Sequence, residues 1–358
     1  MAENHCRTVR GGTGMMDKWF SAEDSALLAG EAAAAESLGC LTDRQLDFIV
    51  KNGLFKIFVP QSLGGLEMGL PEALRLEEEL AWLDGSLGWT ITLCSGASWF
   101  VGFLDPSVVP EMFADEAVCF GGSGMASGVA RREGDGYVVN GDWKYATGAP
   151  HNTIFTVNCL VLDKAVSVLD QAGNPLIRSF YFLRDEVERV EDWETMGLKA
   201  TASHSFRIRD CRVGPERSFL IDPVYAVMDG PIYRFPFVQF AELTLAANYL
   251  GMFRKFLDLG QDSAPDLFRK AKTSLKEQVE KFYRLADASW YQLSHTGEIP
   301  LSMLEEISLV SRKMIQDGYT MISALYPKTG IRGATCSEPI NRVWRDLFTA
   351  SQHVIFRS

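Results

Sequence analysis

Near its end the chain reads Arg342-Val-Trp-Arg345-Asp346, then six residues, then His353. The spacing predicts a helix with Phe348, Ala350 and Val354 on other faces and one imidazole presented. Imidazole is the side chain whose ordinary pKa lies nearest neutrality. His353 could therefore exchange a proton near pH 7 as it stands, whereas a carboxylate in its place would have to be tuned upward. Upstream, Gly121-Gly122-Ser123-Gly124 with Ser127-Gly128 would let a ligand approach the backbone as closely as ring oxygens or phosphates require, although such loops also simply turn the chain. His151, beside Pro150, reads equally as a loop-packing residue and as a substrate contact. His204 alternates with Ser203 and Phe206 and reads as structural. Arg342, Arg345 and Asp346 read as an ion pair within the helix or at an interface, and Glu77-Glu78-Glu79 as a solvated helix face. Five widely spaced histidines with no ligand cluster give a metal no support.

A globular framework must position these residues. The 358 residues, 47% hydrophobic, suffice for one large or two to three ordinary domains with real cores. A net charge of −11 without Lys/Arg runs argues against nucleic acid, because phosphate contacts supply most of the affinity for such partners. The seven cysteines (6, 40, 94, 119, 159, 211, 336) include no CxxC pair and are odd in number, which points to a reduced, cytoplasmic protein. Met1 to Gly14 is polar and Gly-rich, so no signal peptide is expected, and residues 1–18 read as a flexible tail. Ser86 to Leu104 is uncharged over about the length that spans a bilayer. Its serines, threonines and glycines, flanked by Asp84 and Asp105 rather than basic anchors, mark instead a helix buried inside the protein, with no membrane partner.

The order is helices, strands, helices. Ser21-Ala-Glu-Asp24 and Thr42-Asp-Arg-Gln45 are N-cap signatures for two helices, the second closing at Asn52-Gly53. Pro71 opens a Glu-rich helix, the uncharged helix follows, and Pro106 to Phe113 fits a short one. From Cys119 the pattern alternates, and Asn140-Gly141 signals a tight hairpin. Beyond Pro236 the helical period returns, with Leu275, Val279, Phe282 and Ala286 on one stripe and Leu304, Ile307, Met314, Met321 and Leu325 on another. The expected domains are 19–116 (helical), 117–222 (β) and 223–358 (helical bundle). A bundle with exposed apolar faces pairs with copies of itself, so an oligomer is expected.

Five segments, in order, resemble the acyl-CoA dehydrogenase superfamily over about residues 20–355. Phe55 to Gly65 (FKIFVPQSLGG) is similar to its G-hydrophobic-P-x-x-x-G-G entry loop, and Leu83-Asp-Gly-Ser-Leu-Gly-Trp-Thr90 to its D-x-S-x-x-W turn into a central buried helix. Gly136 to Gly148 resembles its flavin-facing strand pair. Met196 to Pro215 resembles G-L-R-x-T-x-S with a D-x-x-V-P ending, and Pro339 to Asp346 resembles P-x-x-R-x-x-R-D. The resemblance implies an N-terminal all-α domain, a middle β-barrel or sandwich domain, a C-terminal four-helix bundle and a homotetramer.

Within the superfamily, short- and medium-chain dehydrogenases place a Glu base eight residues beyond the Asp of the R-D pair. Here that position is Val354, which cannot supply a step worth roughly 10²–10⁴-fold. Some members carry the base on another helix, near 240–250 here, where Glu242 is available. Two-component flavin-dependent monooxygenases instead have a His where His353 stands, after a small-residue stretch like Thr349-Ala350-Ser351. The likeness thus implies an oxygenase that uses reduced FMN or FAD from a separate flavin reductase to hydroxylate a small aromatic or heteroatom-bearing substrate. His353 would be its catalytic residue. The alternatives are an acyl-CoA dehydrogenase with Glu242 as base, or a flavin-free binding or scaffold relative.

The superfamily's Trp-x-Thr beside the flavin falls on Tyr145-Ala146-Thr147, and the hydroxylase form Phe-Ser/Ala-Ser/Thr-Gly is closer still to Tyr145–Gly148. An aromatic edge beside the ring and a hydroxyl near N5 tune such a cofactor. Ser203 matches a hydroxyl near the flavin phosphates, and Gly122 and Ser123 complete the cofactor candidates. The R-x-x-F-G pattern that binds FAD across a subunit interface is missing around 254–270, which implies a borrowed flavin rather than a permanent one.

Overall fold

The computed structural model describes residues 19–356, so the expected tail at 1–18 lies outside the described residues. Both N-cap signatures form capping boxes. Ser21 Oγ accepts from Asp24 N at 3.0 Å ahead of α1 (Ala22–Leu38), and Thr42 Oγ1 accepts from Gln45 N at 3.3 Å ahead of α2 (Asp43–Lys51). Asn52 caps α2, and Gly53 takes φ 65°, where a Cβ would be strained. Pro71 lies in the first turn of α3 (Leu70–Leu83). Asp84 then caps α4 (Gly85–Ser98), its Oδ1 accepting from Leu87 N at 2.8 Å. Of the helix expected at Pro106–Phe113, one turn forms as α5 (Val109–Met112).

The strands are β1 (Phe120–Glu133), β2 (Gly136–Ala146), β3 (Ile154–Asp163), β4 (Val166–Ser167), β5 (Ile177–Leu183), β6 (Glu188–Val190), β7 (His204–Val213) and β8 (Ser218–Phe219). They make one mixed sheet in the order β6-β7-β2-β1-β3-β5-β8, with β4 beside β3 and β1 parallel to β3. The β1–β2 turn is at Gly134–Asp135, not at Asn140-Gly141, which lies inside β2. Asn140 instead holds a register shift against β7, donating to Asp210 Oδ1 at 3.0 Å and accepting from Asp210 N at 2.9 Å. Trp143, Phe155, Phe180 and Phe206 form the core of the sheet.

Helices α6 (Phe237–Gly260), α7 (Pro265–Thr296), α8 (Leu301–Leu325), α9 (Ile331–Ala334) and α10 (Pro339–Ala350) complete the chain. Leu74, Leu80, Ile91, Leu250, Phe253, Ile307, Met314 and Leu347 belong to one continuous core, so the helices from both ends of the chain pack as one body. Glycines let α3, α4 and α6 approach closely. A Cβ on Gly251 would lie 2.1 Å from Glu78 O, and one on Gly88 2.4 Å from Ala81 Cα. Gly251→Ala should therefore destabilise the protein by about 1–3 kcal/mol in urea unfolding, despite the better helix propensity of Ala. Gly30→Ala in α1, where a Cβ meets nothing within 4 Å, should be neutral or mildly stabilising.

Glu77, Glu78 and Glu79 do not face solvent: all three are buried. α3 is covered on nearly every side by α4, α6 and α7, which no single-helix pattern records. Arg254 of α6 pairs with both Glu78 and Glu79, and Tyr283 of α7 donates to Glu78. Glu77 has no hydrogen-bond partner in the structure, and burial pushes its carboxyl well above the usual range.

Candidate active site

Four segments converge: α4, the turn at 147–152 after β2, the segment 196–203 before β7, and the end of α10. The turn and the segment meet through hydroxyls. Thr147 Oγ1 lies 2.9 Å from Ser203 Oγ, which lies 2.8 Å from Thr201 Oγ1, and Gly148 N donates to Thr201 O at 2.8 Å. Tyr145 is half exposed and meets Trp193 edge-on at 5.1 Å. Trp193 Nε1 donates to Leu198 O at 2.9 Å, so this ring belongs to the same site. The sequence held no signal for Trp193, because it is 48 positions from Tyr145 and outside any recurring spacing.

Gly122 and Ser123 sit in β1 beside this cluster, and their own chain uses what they offer. A Cβ on Gly122 would lie 2.1 Å from Thr156 O, and Ser123 Oγ donates to Lys144 O at 2.6 Å. The missing side chain at Gly122 thus serves strand packing against β3.

His151 is half-buried and stacks on Phe55 at 5.9 Å between centroids, with its Nε2 buried and lacking a partner in the structure. Burial, then the Arg184 and Arg189 guanidiniums, hold its pKa down at about 4. His204 is structural: its Nδ1 accepts from Asp192 N and Trp193 N, each at 3.1 Å.

His353 is not on a helix. α10 ends at Ala350, and the chain turns so that His353 N bonds Ala350 O at 2.9 Å. The last turn is drawn off by neighbours: Tyr319 donates to Leu347 O, Tyr249 donates to Ala350 O, and Phe356 folds back onto Tyr249 at 5.5 Å. The His353 ring meets Trp89 of α4 edge-on at 5.7 Å, and Trp89 meets Tyr249 in the same way at 5.9 Å. Burial here holds the imidazole at about 4, so the site tunes His353 away from neutrality instead of leaving it untuned. At pH 7 it is neutral and able to accept a proton. Val354, at the position of the dehydrogenase base, is 73% exposed. Glu242 is buried on α6 and engaged by α8, accepting from Arg312 Nε at 3.0 Å and from the Ser308 hydroxyl.

Two neutral, half-buried histidines have a consequence for stability. Each binds its proton more weakly folded than unfolded, so between about pH 6.5 and 4 the unfolded chain takes up more protons. This contribution should shrink as pH is lowered through that window, opposite in sign to that of the buried Glu77, Glu78 and Asp346 carboxyls. It is therefore read as a difference: the urea midpoint of wild type should fall relative to that of His151→Phe between about pH 6.5 and 4.

Arg345 donates within α10 to Asn341 Oδ1 at 2.7 Å, and both Arg345 and Asp346 also reach other elements. Arg345 pairs with Glu36 of α1 and donates to Met196 O at 2.6 Å, while Asp346 Oδ1 accepts from Leu198 N at 2.5 Å. α4 links the two halves of the site: Trp89 packs on His353, and Cys94 Sγ lies 3.7 Å from Thr147 O. Among the described residues, no group of three or more His, Cys, Asp or Glu side chains is placed to hold a metal ion, and no helix is long and apolar enough to cross a membrane.

No family model matches the chain. In sequence it is similar to the indole-3-acetate monooxygenase of Pseudomonas putida, 23% identical over 327 residues that cover 86% of this chain and 82% of that protein. It is likewise similar to HsaA of Mycobacterium tuberculosis, the oxygenase subunit of a flavin-dependent monooxygenase, 23% identical over 351 residues covering 90% and 87%. The crystal structure of the HsaA monooxygenase superposes with a TM-score of 0.86 at 21% identity, covering 94% of this chain and 92% of that one. XiaF from Streptomyces sp., solved with FADH2 and glycerol, superposes with a TM-score of 0.83 at 20% identity, covering 93% and 89%. Helices at both ends, a mixed sheet between them and this near full-length likeness give the chain the acyl-CoA dehydrogenase fold, in the form taken by oxygenase components of two-component flavin-dependent monooxygenases.

Proposed function

We propose that this chain is the oxygenase component of a flavin-dependent monooxygenase. It would take reduced FMN or FAD from a separate flavin reductase and hydroxylate a small aromatic or heteroatom-bearing substrate. The observation that carries this reading is His353, half-buried and neutral against Trp89, at the end of a chain similar over most of its length to named monooxygenases. The engagement of Glu242 by Arg312 and Ser308 disfavours the acyl-CoA dehydrogenase alternative.

The residues present fit a flavin. Tyr145 is half exposed two residues before Thr147, which belongs to a run of buried hydroxyls, and the pairing suits a planar ring that is apolar on its faces and polar at its edges. Reduced flavin, when bound, supplies the activation of O2. Thr147 and Ser203 would hold the ring edge and the phosphate side by hydrogen bonds, with Tyr145 packing alongside. His353 would accept the substrate proton or hold the proton that the oxygen chemistry requires, and an anionic partner would raise its basicity from the low value that burial imposes. His151 is the proposed substrate contact; its free Nε2 supports that role. We assign the protein to the cytoplasm and expect a homotetramer, with apolar side chains such as Leu309 and Tyr291, exposed on α8 and α7, supporting assembly.

Anaerobic titration with FMNH2 and FADH2, followed by oxygen and a panel of small phenols and indoles, tests this. The protein should purify nearly colourless, bind reduced flavin more tightly than oxidised, and form hydroxylated product. Stoichiometric FAD surviving dialysis, or oxygen-independent oxidation of an acyl-CoA, would overturn it. Sedimentation should give a tetramer at micromolar concentration.

A further inference from the structure

The turn that carries Thr201 and Ser203 is strained at both ends. Leu198 has φ 50° and Ala202 φ 43°, both in the left-handed region that non-glycine residues avoid. Such residues persist only where their surroundings over-determine them. The surroundings here are the end of α10. Leu198 N donates to Asp346 Oδ1 at 2.5 Å and Gly197 N to Thr349 Oγ1 at 3.0 Å. The fit is close enough that a Cβ on Gly197 would lie 2.2 Å from Arg345 C and 2.5 Å from Asp346 N.

We propose that Asp346 is a positioning residue: its carboxyl pins the strained turn 198–202 to α10 and so sets where the Thr201, Ser203 and Thr147 hydroxyls stand. The proposal rests on the flavin reading only for what those hydroxyls meet. Burial and Asp84 favour the neutral form of Asp346, against the Leu198 N–H, whose hydrogen bond favours the carboxylate. Asp346 is buried, and its Oδ2 has no hydrogen-bond partner in the structure. The charged groups around it are Asp84, Arg342, Glu36, Arg345 and, beyond Asp84, Lys255 of α6. Arg345 is engaged by Glu36, and Arg342 Nε lies 3.8 Å from Asp84 Oδ2. One guanidinium therefore faces two buried carboxyls, which cannot both ionise without opening the site to water. Burial, then Asp84, push Asp346 up to about 8, and burial raises Asp84 as well. Below that point the pair keeps a proton.

The sign follows from the raised value. Folded Asp346 keeps its proton through a range where the unfolded chain has lost it, so the stability of the clamp is present at low pH and lost as pH rises through about 8.

The test is amide hydrogen exchange over residues 196–203 in the unliganded full chain, corrected for intrinsic rates, together with anaerobic FMNH2 and FADH2 affinities. Wild type, Asp346→Asn and Asp346→Ala are compared between about pH 6.5 and 9.5. An amide keeps the acceptor for Leu198 N and carries an N–H in place of the acid proton. At about pH 6.5 Asp346→Ala should lose roughly tenfold in both protection and reduced-flavin affinity, and Asp346→Asn should restore both. Wild-type protection should fall between about pH 6.5 and 8 and level off above that, while that of Asp346→Asn stays flat. The proposal is overturned if Asp346→Ala keeps full protection, if Asp346→Asn fails like Asp346→Ala, or if wild type and Asp346→Asn share one pH profile. Should Asp346→Ala not fold, the two remaining profiles decide. The expected exchange pattern in proteins that bind neither FMNH2 nor FADH2 would leave Asp346 its positioning role and remove the flavin reading.

Discussion

His353→Ala should lower substrate oxygenation by roughly 10²-fold or more, the usual scale for a positioned acid or base. The loss should be chemical rather than structural. His353 lies past the end of α10, donating its backbone N–H to Ala350 O, a bond that Ala keeps, and its ring meets Trp89 at an edge. Removing it leaves Trp89 against Tyr249 and the hydroxyl cluster untouched. Flavin binding should therefore survive, and reducing equivalents should be diverted to hydrogen peroxide. Product formed per oxygen consumed, measured alongside peroxide, checks both parts. An undiminished oxygenation rate would remove His353 from the chemistry. Glu242→Gln, by contrast, should act on stability, since its carboxylate accepts from Arg312 and Ser308 inside the bundle.

Arg254→Leu should cost about 3–5 kcal/mol of folding stability, the range for leaving buried charge without its partner. Glu78 and Glu79 are both buried and both bond Arg254, while Tyr283 supports only Glu78. Without the guanidinium, the two carboxyls must ionise in a dry place or take up protons. Burial already pushes Glu78 up, and removing Arg254, which lowers it, pushes it further. The deficit should consequently shrink as pH falls, since protonation relieves it. Urea unfolding of Arg254→Leu at about pH 5 and pH 8 reads this directly, and adding Glu78→Gln and Glu79→Gln should recover part of the loss at the higher pH. A deficit equal at both values would show that lost packing, not unpaired charge, is responsible.

The helix caps were legible because they are local. Ser21 with Asp24 and Thr42 with Gln45 satisfy orphan amides three residues away, so neither depends on the rest of the protein. The change from helical to alternating period near Cys119, and back after Pro236, was legible for the same reason: β1 begins at Phe120 and α6 at Phe237. Asn140-Gly141 misled because its side chain answers Asp210, 70 positions on, rather than its own turn. Thr147 and Ser203 were singled out separately, and nothing in their spacing of 56 residues said that the two hydroxyls would meet at 2.9 Å.

The amino-acid sequence by itself determined where elements begin, which period each follows, and which residue types could do chemistry, since these are properties of neighbours along the chain. Only the tertiary structure decided what those residues became. Glu77 to Glu79 form a polar run by sequence, yet they are interior because α4, α6 and α7 enclose α3. Asp346 is half of an Arg-Asp pair by sequence, yet it clamps Leu198, 148 positions away. His353 has an ordinary imidazole by sequence, and the burial beside Trp89 holds it near 4. Burial and charge are set by whatever the fold brings within a few ångströms, and for these residues that comes from distant parts of the chain.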